Sequence, residues 1–174
     1  VYVGQLTNGE ITGWVLSDGT NKTVNLKLPK PMSDSTAVAA STGIFLIGGK
    51  AADGLVGTMW QAKFSDAKPP VLAGWAEVAG AALPEARAGA SSVLQGNFLY
   101  VMGGDGPKGA SASVYGLTFT SGQPAVNANN QPLPWTNPGD LPAPRSHAAS
   151  FTANGSLYMI GGTDAQGAPQ KTNF

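Results

Sequence analysis

The chain has 174 residues, 42% apolar and 11% charged, with Lys plus Arg and Asp plus Glu balanced at 10 each and no Cys. That apolar share supports one domain with a sizeable core and excludes a disordered tail. A formal charge of zero leaves no electrostatic footprint for nucleic acid or an anionic membrane. The lack of cysteine excludes disulfides, thiol chemistry and thiolate metal sites. No apolar run approaches the roughly 18 residues needed to span a bilayer.

The 24 Gly and 13 Pro, spread along the chain, require many turns. No starting Met or leader is present, so the sequence reads as a mature or partial chain. Scarce charge with much Ser, Thr, Asn and Gly points to an extracellular, periplasmic or cell-surface location.

One stretch organises the rest. Leu83 to Gly104, LPEARAGASSVLQGNFLYVMGG, aligns without a gap on Leu28 to Gly49 and again on Leu141 to Gly162. A repeat of this length defines the structural unit before local propensity is considered. It divides the chain into 1–27, 28–82, 83–140 and 141–174.

Residues 1–27 open with VYVGQL and carry Trp14, which makes them the third and fourth strands, C and D, of a preceding unit. In each repeat the first strand, A, is predicted after the Leu-Pro element, over 33–40, 88–95 and 146–153. Its Ala, Ser, Gly and Thr suit a crowded place where backbones approach closely, which puts A nearest a central axis. A tight turn follows at Ser41-Thr42-Gly43, Gly96-Asn97 and Asn154-Gly155, the last a strong two-residue hairpin signal.

Strand B is a continuous apolar run at Ile44 to Ile47, Phe98 to Met102 and Leu157 to Ile160. A run too short for a helix and bounded by Gly implies a strand buried on both faces, hence a sheet packed between two others. The double glycine ends it, and loops rich in Gly, Ala, Asp and Lys lead to strand C. There Trp60, Ala62 and Phe64, or Tyr115, Leu117 and Phe119, alternate with other residues at period two. Strand D carries Trp14, Trp75 or Trp135, and prolines 132, 134 and 138 mark it as an outer edge. The 141–174 unit contributes A, B and the start of C. The reading is all-β, with about three blades of four-stranded antiparallel sheet in an incomplete ring.

A double glycine after an apolar strand, an aromatic just before it, an Arg sixteen residues earlier and a Trp in the last strand together resemble the kelch repeat. The resemblance covers the whole chain and implies a β-propeller, whose blades surround a channel and whose loops at one end hold the ligand. Met32 departs from it where Arg87 and Arg145 stand, as does Phe45 where Tyr100 and Tyr158 stand. Propellers close with about four to eight blades. The expected partners are therefore the remaining blades of a longer propeller or a second copy of the chain, besides a protein or glycan ligand.

Arg87 and Arg145 open strand A near the expected channel mouth. There a forked guanidinium either binds a carboxylate or ties the turn to neighbouring carbonyls, and recurrence favours the tie. His147, the single histidine, aligns with Gly89 and Asp34. It is a candidate acid-base group without a second histidine to share a metal. Asp53, Asp105 and Asp164 fall in the B-to-C loops as turn formers or ligand contacts, and no DxDxDG calcium pattern occurs. The tryptophans read as inter-blade core before sugar platforms. Asn21-Lys22-Thr23 and Asn154-Gly155-Ser156 match the glycosylation pattern, the second serving better as a hairpin turn.

With no catalytic set, metal site or cofactor motif, the expected function is a non-catalytic module. It binds protein or glycan through propeller loops, with Arg87, Arg145, His147, Glu85, Asp105, Asp53 and Asp164 as contacts. The resemblance also implies an alternative, a sugar mutarotase or epimerase with Glu85, Arg87, Arg145 and His147 around the mouth. A third is a structural subunit of a surface or viral assembly.

Overall fold

The computed structural model describes residues 27–66 and 72–174, together with the backbone of an opening antiparallel pair, β1 (Tyr2–Thr7) and β2 (Glu10–Val15). The side chains of Tyr2 and Trp14 and the Asn21 sequon lie outside the described residues. All regular elements among the described residues are strands, and no helix there is long and apolar enough to cross a membrane.

The first sheet comprises β3 (Thr36–Ala40), β4 (Gly43–Ile47), a small hairpin of β5 (Lys50–Ala51) and β6 (Gly54–Leu55), then β7 (Met59–Phe64) and β8 (Leu72–Glu77). Its order is β3-β4-β7-β8, antiparallel throughout, with the hairpin standing apart at one end. The second sheet repeats the plan with β9 (Ser91–Gln95), β10 (Phe98–Met102), the hairpin β11 (Asp105–Gly106) and β12 (Gly109–Ala110), β13 (Val114–Thr120) and β14 (Gln123–Pro124). In the third, β15 (Ala149–Ala153) pairs with β16 (Ser156–Ile160). Met159 and Phe174 then exchange backbone hydrogen bonds at 3.1 and 3.0 Å, starting a further strand. These are blade-like sheets in an unclosed ring.

Strands A begin three residues later than expected, at Thr36, Ser91 and Ala149. The cause is a left-handed residue at one repeat position: Asp34 (φ 55°), Gly89 (62°) and His147 (54°). Just before it, Ser33, Ala88 and Ser146 bridge instead to Lys50, Asp105 and Thr163, the residues after each double glycine. Strand D of the second sheet is also reduced. Beyond β14 its backbone contact with β13 is one hydrogen bond, Ala125 N to Thr118 O at 2.8 Å, and one bridge, Gly116 to Thr136, because prolines at 132, 134 and 138 remove the donors a longer ladder needs.

Strands A stand together at the inner edge of the sheets, as their small side chains require. Thr36 Oγ1 lies 2.7 Å from Ser92 Oγ, and Ser150 Oγ donates to Ser92 O at 3.2 Å, so hydroxyls tie β3, β9 and β15 across the seams. The core lies between sheets. Phe45, Ile47 and Met59 of the first interleave with Leu99, Val101, Leu117 and Phe119 of the second, all at most 2% exposed. The Phe45 and Phe119 rings meet edge to face at 5.2 Å. Met102 and Val114 meet Met159 at the next seam. Trp135 joins the first of these clusters and donates its indole N–H to Ala81 O at 3.2 Å, whereas Trp75 packs with Ala62, Leu72, Ile44 and Phe64 of its own sheet instead of across a seam. On the far face of the third sheet, Ile160 stays 45% exposed where Ile47 and Met102 are covered.

Each seam explains the first glycine of its pair. A Cβ on Gly48 would lie 2.7 Å from the carbonyl oxygen of Arg87 in the following sheet, and one on Gly103 would overlap that of Arg145. The second glycine donates to the same carbonyls, Gly49 N to Arg87 O at 2.7 Å and Gly104 N to Arg145 O at 2.8 Å. Any side chain there would push the sheets apart.

Candidate functional site

Five of the seven residues expected to touch a ligand are occupied with one another or with their own loops. Arg87 is fully buried. It donates to Gly103 O (2.8 Å), Ser113 Oγ (2.9 Å), Tyr115 Oη (3.0 Å) and Glu85 Oε2 (3.0 Å), with its guanidinium 4.4 Å above the Tyr115 ring. Such an arginine braces the turn and presents nothing to solvent. Arg145, 3% exposed, repeats the arrangement over Phe174 at 4.8 Å and donates to Thr172 Oγ1 at 2.8 Å.

The carboxylate of each corner comes from a different place. Ala143 stands where Glu85 stands, and Asp164 where Gly106 stands, a glycine whose Cβ would come within 3.0 Å of Glu85 Oε2. Asp164 thus brings a carboxylate to the third corner from the opposite loop, bonded there to Gln166 N, Ala168 N and Gln170 Nε2. Its carboxyl is held below the usual range by the Ala168 N–H first, then by the Gln166 N–H, the Gln170 amide and the charge of Arg145. In the first sheet Met32 replaces the arginine, and the corner is closed by Lys30 with Asp53 at 3.2 Å. Asp53 sits below the usual carboxylate range chiefly through that hydrogen bond from Lys30. The first two corners close on an ion pair, Lys30 with Asp53 and Arg87 with Glu85, while in the third Arg145 acts on Asp164 through its charge alone.

Two of the seven residues, Asp105 and His147, remain, and they face each other. His147 Nδ1 is 3.6 Å from Asp105 Oδ2, while Nε2 is 3.8 Å from Oδ1 of Asp34. Three consecutive sheets contribute one residue each. Asp34 was absent from the expected contacts, although its alignment with His147 in the repeat is visible. Backbone bonds link the positions in sequence, Gly89 N to Asp34 O at 2.8 Å and His147 N to Gly89 O at 2.7 Å. Gly89 lies beneath the imidazole, where a Cβ would meet Cε1 and Nε2 at 2.7 Å. Its lack of a side chain lets the ring reach from the third sheet to the first.

The ring is half exposed, as are both carboxylates. Ser146 Oγ lies 3.3 Å from Nδ1, and Ser33 Oγ donates to Asp34 Oδ2 at 2.9 Å. Beside Asp34 an open concavity is lined by Met32, Ser33, Asp34 and Lys50. The mouth therefore offers carboxylate acceptors, hydroxyls, one ammonium and one imidazole, a set that suits a polar ligand rich in hydroxyl or N–H groups. Among the described residues no three His, Cys, Asp or Glu side chains gather closely enough to hold a metal.

No protein-family model matches the chain, and no curated protein does. Among solved structures it is similar to YjhT, with a TM-score of 0.70 at 19% identity over 95% of this chain. The chain spans 48% of the length of that one. At such identity the likeness concerns the fold alone.

Proposed function

We propose that the chain is a section of a kelch-like propeller and serves as a non-catalytic interaction module outside the cytoplasm. It takes a protein or glycan at the end where the D-to-A and B-to-C loops converge. The observation that carries this is the meeting of Asp34, Asp105 and His147 from three sheets, while the repeated arginines are spent internally. A structural residue recurs in most units, as the arginine does, whereas Asp34, Gly89 and His147 all differ at one position, as a ligand site laid on a repeat scaffold does. The exposed far face carrying Ile160 supports a further sheet as neighbour, from remaining blades or a second copy. The test is a glycan array with an identified-partner pull-down, comparing the native chain with Asp34→Asn/Asp105→Asn. Loss of binding in the variant supports the reading, and unchanged binding sinks it.

One observation favours a second reading, a sugar mutarotase or epimerase. An imidazole between two carboxylates is an arrangement able to move protons. NMR anomerisation of free sugars decides it: turnover by the native chain that collapses in His147→Asn establishes the enzyme, and no turnover removes it.

A further inference from the structure

The seam that joins the sheets occurs twice, and two of its repeat positions stand unmatched. Gly49 N and Gly104 N donate to the carbonyls of Arg87 and Arg145, but Gly162, the third glycine of that column, has no acceptor for its N–H among the described residues. The carbonyl column is unmatched at its other end. Met32 aligns with Arg87 and Arg145, and its oxygen accepts no hydrogen bond among the described residues.

The apolar faces follow the same order. Phe151 pairs in register with Tyr158 and Ala149 with Ile160, so these four share one face of the third sheet, opposite the face that Met159 turns to the second sheet. Their counterparts, Phe45 and Ile47 in the first sheet and Tyr100 and Met102 in the second, pack into the two seams. On the third sheet Phe151 is 42% and Ile160 45% exposed, with Phe151 stacked on Tyr158 at 5.3 Å. The receiving side of a seam is formed in the second sheet by Leu99 and Val101. The first sheet carries that side on Ile44, paired in register with an exposed Ala39 and directed away from Val38 and Phe45.

We infer that the open face of the third sheet is a docking surface for the first sheet of a second copy, so that two chains associate head to tail and close one ring. The occupant follows from continuity with the two seams already formed. A third seam needs a free carbonyl at the arginine position and an apolar receiving face, and the chain carries both on its own first sheet. Gly162 N then donates to Met32 O of the second copy, and Gly161 leaves the backbones room to approach. A two-fold axis makes both joints identical, and three sheets from each of two copies make six, within the about four to eight at which propellers close. A formal charge of zero leaves no net repulsion between copies. The ring rests on the proposed propeller, but the pairing of the two faces does not.

The test is the solution mass of the full chain, by sedimentation velocity across the micromolar range. The native chain is expected at twice the 17.6 kDa of one copy. Ile160→Glu buries an unpaired charge in the joint and is expected to weaken pairing at least about a hundredfold. Gly161→Asn fills the same joint with a residue that accepts the φ of 70° there, and it is expected to leave a monomer. Ala39→Glu charges the opposite side of the joint and is expected to do the same, whereas a face-to-face pair of third sheets would not feel it. Ile160 and Ala39 are exposed, so neither charge disturbs a single chain, and circular dichroism checks that each variant is folded. A folded native monomer, open polymers in place of the pair, or a pair indifferent to any of the three substitutions overturns the inference. A monomer that still captures a glycan or protein sinks this inference alone, and a pair that captures neither sinks the ligand reading alone.

Discussion

Replacing Arg87 with Ala tests whether the buried guanidinium braces the fold or awaits a ligand. The substitution strips hydrogen bonds from Gly103 O, Ser113 Oγ and Tyr115 Oη, all in a region where the arginine itself is fully buried. Each such bond contributes about 0.5–1.5 kcal/mol net, and more where the orphaned partner stays buried. Glu85 is 43% exposed, so screening keeps its ion pair below about 1 kcal/mol. Adding the lost packing on Tyr115 gives a destabilisation of about 3–5 kcal/mol. In a chain of this size that is a fall of roughly 10 °C. Arg87→Met, which copies the residue the first sheet carries as Met32, refills the volume and is expected to cost less than Arg87→Ala. Urea unfolding at constant m reports both. A loss under about 1 kcal/mol for Arg87→Ala would refute the bracing role, and an unchanged midpoint with lost ligand binding would make Arg87 a contact after all.

Phe45→Ala removes a fully buried ring from the first seam and is expected to cost about 3–5 kcal/mol in denaturant unfolding. Two glycines separate backbone strain from collision. Gly155 has φ 77° and open space around its Cβ position, so Gly155→Ala should cost about 1–2 kcal/mol. Gly103→Ala, with φ 62° and the Arg145 carbonyl in the way, should cost clearly more in the same denaturant unfolding. The carboxyl of Asp164 lies below its ordinary value near 3.8 in the folded chain. Its stabilisation is therefore full above that value and drains as pH falls through the lower folded one. The native chain should accordingly lose more stability than Asp164→Asn on acidification below about pH 4, measured by unfolding midpoints.

Much of this architecture is legible in the sequence because a repeat constrains itself. The apolar runs at 44–47 and 99–102 ask for cover from a neighbouring sheet, and the small residues of 88–92 for a place where strands crowd. Asn154-Gly155 forms its hairpin because both residues accept positive φ, here 49° and 77°. The D strand of the second sheet is less legible, since prolines announce an edge without saying how little ladder survives. For the candidate site, composition names the charged residues and leaves their pairing open. The exchange of Glu85 and Gly106 for Ala143 and Asp164 shows only when the repeats are compared column by column. The reach of His147 to Asp34 depends on how consecutive sheets are rotated, which no local pattern encodes.

The seam geometry also gives the array a direction. The second and third sheets each offer a glycine hollow on one side and an arginine carbonyl on the other, so neighbours fit in one sense only, like links with a hook and an eye. At Gly161 the hollow is open, its nearest atom being Gln170 O at 3.7 Å. Copying residues 83–140 in tandem would supply both halves of a joint together, whereas a cut between Arg87 and Gly103 would leave a hook in one piece and an eye in the other.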